Sequence, residues 1–301
     1  MEKIPHVHIL GPGAIGLLWA AKLSKVTSVS VIPRTPTKTM SFLPILFEDQ
    51  TGVQNLSIPI AELNSNEPFN TLLVTTKSYD TQSALESVRD QINENTRIVL
   101  FQNGMGSQQK TEARFPGHRI YCASTTEGAN RPGKNHIVHA AQGETWVGHL
   151  NAPNLVPDNS LISLFNHAGL ASHWSSVIAE KLWWKLCINC GINPFTVLLN
   201  CSNGEILDQD LFLSLINPLC AELAVLMSQN GIKTNADQIK TKIIAIARST
   251  AQNKSSMLQD ARAKRRTEID FINGFVVDWA KHQGFKMPTN EYLTQRVRQL
   301  N

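Results

Sequence analysis

An α/β domain followed by an all-α C-terminal domain is the architecture this 301-residue chain predicts, and three observations carry it. In the first half, short apolar runs alternate with turn residues and helical patterns, as βαβ units do. The apolar run at 6–10 leads at once into a glycine-rich turn and a helical pattern. From about Ser176 onward the spacing is helical throughout. At a prior of roughly 150 residues per domain, the length also suggests two.

The strands expected in order are 6–10, 29–32, 71–76, 98–101 and 120–124, with helices over 15–23 and 79–93. Strands alternating with helices imply a largely parallel sheet. Over 128–149 the texture turns to Gly, Asn and His with short alternating runs, which predicts antiparallel strands closing that sheet. The Asn- and Pro-rich stretch 151–159 reads as a loop, and the boundary falls near 170–178. The domains expected are 1–175, binding a dinucleotide, and 176–301, helical and binding the substrate. Helices are expected over 177–199, 211–230, 237–250 and 257–282.

Composition narrows the function classes. Hydrophobic residues make up 42% and charged residues 17%, enough apolar material for a core and too much for a disordered chain. The net charge of +4 is scattered and excludes a basic nucleic-acid stripe. The one short cluster, Lys264-Arg265-Arg266, reads as a solvated helix face. Such a charge tolerates a small anionic ligand. Five cysteines, an odd number, do not make a disulfide framework and suit a reducing compartment. Cys187 and Cys190 form a lone CxxC inside an apolar run, so they are expected as buried helical cysteines and no metal site is expected. The start of the chain shows no secretory signal, and no run of 18 apolar residues predicts a membrane helix. The expectation is a cytoplasmic protein.

Gly11-Pro12-Gly13-Ala14-Ile15-Gly16 is GxGxxG, placed directly after a strand and at the start of a helix. The first glycine allows the tight turn, and the second lets backbone approach a pyrophosphate. The third lets helix and strand pack closely, while the helix N-terminus offers N–H groups to the phosphates. This is the Rossmann-type dinucleotide signature in the context that supports it. An NAD site usually carries Asp or Glu about 20 residues beyond the glycines. Here that region holds Arg34, with Thr35 and Thr37 beside it. A guanidinium matches a 2′-phosphate, so NADPH is expected over NADH. Lys77 and Asn103 follow the third and fourth strands, at the edge where open α/β sheets bind ligands. On position alone they fit an exposed lysine and a turn asparagine equally well.

In the helical half, Lys185, Asn189 and Asn193 recur at i, i+4 and i+8. Each step of four overshoots a full turn by about 40°, so the three share one stripe of about 80°. Apolar neighbours bury this helix, and buried lysine and amides need partners, which a polar ligand or the backbone itself would supply. Further on, Ser256 and Gln259 stand at capping-box spacing, and Glu268 follows.

These motifs together resemble the ketopantoate reductases (2-dehydropantoate 2-reductases). The likeness runs through GPGAIG at 11–16, TTKS at 75–78, QNGMG at 102–106, KLWWKLCINCGINP at 181–194, NCSNGE at 200–205 and SSMLQDARAKRRTEID at 255–270. It implies reduction of 2-dehydropantoate to (R)-pantoate by NADPH, a step toward pantothenate and coenzyme A. It further implies Lys185 as the general acid, and Asn189, Asn193 and Asn203 as substrate-binding amides. Ser256 would meet the substrate, with Asn253, Lys254 and Ser255 in the same wall. Glu268 would lie near cofactor and substrate as a second catalytic group. Lys77, Asn103 and Ala129 would contact the cofactor, Asn103 also the substrate, and Arg34 the 2′-phosphate. Two other readings stay open: a reductase of another branched 2-keto acid, and a non-catalytic NADPH-binding protein. The expected partner is a small 2-keto acid, with no nucleic acid or membrane; monomer and homodimer are both open.

Overall fold

A strand covered on both faces carries apolar side chains on both, which is what Val7, Ile9 and Leu10 show in the first strand. The computed structural model describes residues 6–300 apart from 36–39, 64–66 and 152–154. Thr37 and part of the loop expected at 151–159 therefore lie outside the described residues. Two compact units are found: Met1–Gln102 with Ser107–Lys181, and Asn103–Gly106 with Leu182–Asn301.

In the first unit the order is β1 (His6–Leu10), α1 (Ala14–Leu23), β2 (Ser28–Ile32), β3 (Phe42–Asp49), β4 (Gly52–Pro59), β5 (Thr71–Val74) and α2 (Thr81–Glu86). Then come β6 (Arg97–Leu100), α3 (Ser107–Arg114), β7 (Arg119–Thr125), β8 (Gly128–Gly133) and β9 (His136–Ala141), followed by β10 (Thr145–Gly148), α4 (Asn159–His167) and β11 (Ser172–Trp174). The main sheet runs β11-β10-β7-β6-β5-β1-β2. Its strands from β7 to β2 are mutually parallel, and β10 pairs antiparallel with β7. Trp19 of α1 is fully buried, with Phe101 and Phe165 edge-on at 4.7 and 4.6 Å between ring centroids.

The α/β architecture is as expected, but several elements differ. Of the antiparallel strands expected over 128–149, only β10 closes the main sheet. β8 and β9 join β3 and β4 in a second sheet ordered β4-β3-β9-β8. The 42–59 hairpin, α3, α4 and β11 were not among the expected elements. The helix expected over 79–93 is three short pieces, a 3₁₀ turn at Ser78–Asp80, α2, and a 3₁₀ turn at Arg89–Gln91. That segment buries only Leu85 and Val88 among its apolar residues, too little for a continuous stripe.

The chain continues with α5 (Ile178–Leu199), which belongs to the helical unit from Leu182 on, then α6 (Asp210–Gln229), α7 (Ala236–Ser249), α8 (Ser256–Arg262), α9 (Asn273–His282) and α10 (Pro288–Arg298). Pro194 lies inside α5 and has no N–H for the carbonyl of Cys190 four residues earlier. Asn273 Nδ2 donates to that carbonyl instead, at 3.3 Å. Cys187 and Cys190 are buried on this helix, and all five cysteines are free thiols. Glu222 of α6 is buried, yet its carboxylate accepts from the backbone N–H groups of Thr289 and Asn290 at 2.6 and 3.0 Å. It thereby caps the positive end of α10. By length and composition alone α6 would pass for a membrane span, but Asn217 and Glu222 interrupt its apolar run, as expected from the sequence. Its buried face, from Phe212 to Met227, packs within the unit.

The single helix expected over 257–282 is also broken. It ends at Arg262, Lys264 takes a left-handed φ of +51°, and a 3₁₀ turn at Ile269–Phe271 precedes α9. No large apolar residue occurs between Arg262 and Glu268, so a continued helix would have no face to bury.

Candidate active site

In the first unit the glycine loop is shaped by backbone contacts. Gly11 has φ +90°, and a Cβ there would stand 2.6 Å from Thr76 Cγ2 and 2.9 Å from its nitrogen. A Cβ on Gly16 would collide with Thr75 Oγ1 and the Gly11 carbonyl. Thr75 Oγ1 donates to that carbonyl at 2.7 Å, tying β5 to the loop. Gly13 is different: its φ is −79°, and a Cβ would find only the Gly11 carbonyl, 4.0 Å away. Space thus stands open before Gly13, at the start of α1. That helix has no side-chain cap and no acidic residue in its first turn, so its own residues leave its N-terminal partial charge uncompensated. An anionic diphosphate fits this donor set.

Arg34 is exposed beyond β2, with Nη1 3.5 Å from the Asp80 carboxylate. Lys77 is partly buried after β5; its carbonyl accepts from Asp80 N–H at 2.9 Å and Thr81 Oγ1 at 3.2 Å. Ala129 on β8 packs its methyl against the unit's apolar core, so a ligand would meet its backbone. Sequence reasoning missed Asp80 and Arg131. Arg131 Nη1 donates to the Pro12 carbonyl at 3.4 Å, a contact across 119 residues that no local spacing signals.

In the helical unit, Lys185, Asn189 and Asn193 lie on one continuous α5. Lys185 and Asn189 are partly buried and Asn193 is buried. Burial pushes the Lys185 ammonium down to about 8, and the Glu268 carboxylate opposes that shift. Glu268 itself is buried, in the segment where the expected long helix breaks. Thr196, one turn beyond Asn193, donates to the Asn193 carbonyl at 2.7 Å and stands 2.6 Å from Ser255 Oγ. Since the threonine proton is used, the Ser255 hydroxyl donates to it. Ser255 Oγ in turn accepts from Leu258 N–H at 3.0 Å.

Ser255 is therefore the N-cap of α8, where Ser256 had been expected at capping-box spacing with Gln259. Two adjacent serines allow either register, and the Thr196 contact selects the first. Ser256 is left exposed in the first turn, as are Asn253 and Lys254 before it. Asn203 is buried: its N–H donates to the Asn253 carbonyl at 2.9 Å and its Nδ2 to Thr250 Oγ1 at 2.9 Å. Its Oδ1 is buried without a hydrogen-bond partner among the described residues. Such an atom calls for a donor from a ligand or water. Asn103, partly buried, also belongs to this unit. The next residues are pinned there by Met105 N–H donating to the Phe271 carbonyl at 2.9 Å. Gly104, at φ +75°, leaves no room for a Cβ against that carbonyl. Among the described residues, no cluster of three or more His, Cys, Asp or Glu could hold a metal.

Comparison with known proteins bears on both units. Residues 7–152 match the family model "Ketopantoate reductase PanE/ApbA", and residues 177–301 match "Ketopantoate reductase PanE/ApbA C terminal". The 2-dehydropantoate 2-reductase of Yersinia pestis is 33% identical over 97% of this chain and 94% of its own. That of Pyrococcus horikoshii is 31% identical over 97% and 96%. Among solved structures, the 2-dehydropantoate 2-reductase of Geobacter metallireducens superposes with a TM-score of 0.87 at 22% identity, over 98% of this chain and 100% of the other. D-mandelate dehydrogenase with NADH and anilino(oxo)acetate shares the fold, with a TM-score of 0.89 at 20% identity over 98% of each chain. With both units matched in order and a third of the residues identical across nearly the whole chain, this protein belongs to the ketopantoate reductase family.

Proposed function

We propose that this protein reduces 2-dehydropantoate to (R)-pantoate with NADPH, the first unit holding the cofactor and the helical unit the substrate. The reading rests most on one observation. A lysine with its pKa lowered to about 8 shares a helix stripe with two amides in a family of oxidoreductases. A pKa near working pH is what a general acid needs.

Bound NADPH supplies a hydride to the C2 carbonyl carbon. As charge grows on the carbonyl oxygen, the Lys185 ammonium stabilises it and gives up a proton, which solvent later restores. Glu268 keeps that ammonium protonated against the cost of burial. Asn189 and Asn193 fix the ketone and the substrate's hydroxyl, with Asn203 as the third amide of the set. Ser256, exposed and not used as the helix cap, suits the substrate carboxylate. In the first unit, the N–H groups beyond Gly13 and the Arg131 guanidinium serve the diphosphate, Arg34 the 2′-phosphate, and Lys77 the rest of the cofactor, with backbone at Ala129. A reducing cytoplasm suits this reading, given five free thiols.

Loss of NADPH absorbance in the presence of 2-dehydropantoate tests it. Turnover at least tenfold more efficient than with other branched 2-keto acids is expected. Preference for one of those acids would reassign the substrate, and no turnover with any of them would remove the enzyme reading.

A further inference from the structure

The first unit carries an acidic group at the place assigned to the cofactor's extra phosphate. In the main sheet, β2 and β5 flank β1, the strand that leads into the glycine loop. Arg34 follows the carboxyl end of β2, and Asp80 ends the 3₁₀ turn that follows β5. Their side chains meet at 3.5 Å, with Arg34 86% exposed and Asp80 31%. The ion pair therefore reaches across the carboxyl edge of the sheet, over the strand that carries the loop. The turn does not depend on that carboxylate. It is held by backbone and hydroxyl bonds, Asp80 N–H to the Lys77 carbonyl at 2.9 Å and Ser83 Oγ to the Asp80 carbonyl at 3.0 Å. An exposed pair of this kind also contributes little to folding.

We propose that Asp80 sets the cofactor preference: it competes with the 2′-phosphate of NADPH for Arg34 and narrows the margin over NADH. The inference rests on the reading of Arg34 as the 2′-phosphate residue. A phosphomonoester on Arg34 would carry nearly two negative charges, and with the guanidinium between them it would stand on the order of 7 Å from the carboxylate. Repulsion at that distance, in a water-like dielectric and at low salt, weakens binding about three- to tenfold. The ribose 2′-hydroxyl of NADH has no charge to repel, and a carboxylate accepts its proton in a hydrogen bond, as acidic residues do in NAD sites. One side chain thus penalises one cofactor and suits the other.

The test is cofactor binding without substrate, by fluorescence titration at low ionic strength, for the wild type, Asp80→Asn and Arg34→Ala. Asp80→Asn is expected to tighten NADPH about three- to tenfold, leave NADH unchanged or weaker, and lose its effect in 0.5 M salt (about a 4 Å screening length). Weaker NADPH binding would mean that Asp80 positions Arg34, and overturns the inference. Equal shifts for both cofactors overturn it too. Arg34→Ala separates the two levels of the argument. Selective loss of NADPH there, with no gain in Asp80→Asn, sinks the inference alone. Equal loss of both cofactors, or no NADPH binding by the wild type, sinks the reading of Arg34 and the inference with it.

Discussion

The glycine loop and the α5 stripe reach for ligands by opposite means. In the loop the working atoms are backbone N–H groups, and side chains matter by being absent. Gly11 and Gly16 are boxed in by Thr75 and Thr76, while Gly13 faces open space. On α5 the backbone is a rigid helix, and chemistry comes from what Lys185, Asn189 and Asn193 project from it. A loop of the first kind has no room for an added atom at Gly11 or Gly16 and has no single reactive group to lose. A stripe of the second kind keeps its shape when one side chain is truncated and loses its chemistry outright. The two therefore break in different ways.

The largest effect expected is at Lys185. Replacing it with alanine removes the proton donor and the charge facing the developing alkoxide, so kcat should fall roughly 10²–10⁴-fold. Binding of NADPH, measured by titration without substrate, should stay within about twofold, since the glycine loop is untouched. A variant with normal kcat would remove Lys185 from the chemistry.

The loop contrast is sharpened by a pair of alanines. Gly16→Ala forces a methyl against Thr75 Oγ1 and the Gly11 carbonyl, an overpacking that costs about 1–3 kcal/mol. Its thermal midpoint should drop accordingly. Gly13→Ala has room and a φ of −79°, so its melting should match the wild type while NADPH affinity falls roughly tenfold, about 1.4 kcal/mol. If Gly13→Ala bound NADPH normally, the open space before Gly13 would not be where the diphosphate sits.

The same contrast explains what could be read from residues alone. The glycines at 11, 13 and 16 were legible because their spacing directly after a strand is a short local pattern, and the stripe because helical periodicity is fixed. Less of the surroundings was legible. The β3–β4 hairpin went unseen because its strands are mostly partly exposed and lack a buried apolar run. The break after Arg262 was hidden by the good helical spacing on either side of it. Ser255 and Ser256 were one residue out of register, since the tie to Thr196 spans 59 residues. Arg131 and Asp80 owe their places to pairings between distant strands and turns. What a local window contains was readable; what the sheet order brings together was not.

The smallest effect expected tests whether the stripe acts as isolated side chains or with its neighbour. Burial lowers the Lys185 pKa to about 8, and Glu268 acts in the opposite direction. The acid must carry its proton to work, so kcat should hold at neutral pH and decline as pH rises through about 8. Glu268→Gln keeps the size and hydrogen-bonding reach of the side chain and removes its charge. With the opposing carboxylate gone, the desolvation cost acts alone and the ammonium gives up its proton at lower pH. The alkaline limb of the kcat profile should therefore move toward neutral pH, by roughly one unit for a single close charge. NADPH binding measured at pH 6.5, below the limb, should be nearly unchanged. A merely structural role for Glu268 would lower kcat evenly at all pH values and leave the limb in place. A limb that moved toward higher pH would mean that some other charge, and not Glu268, holds the proton on Lys185.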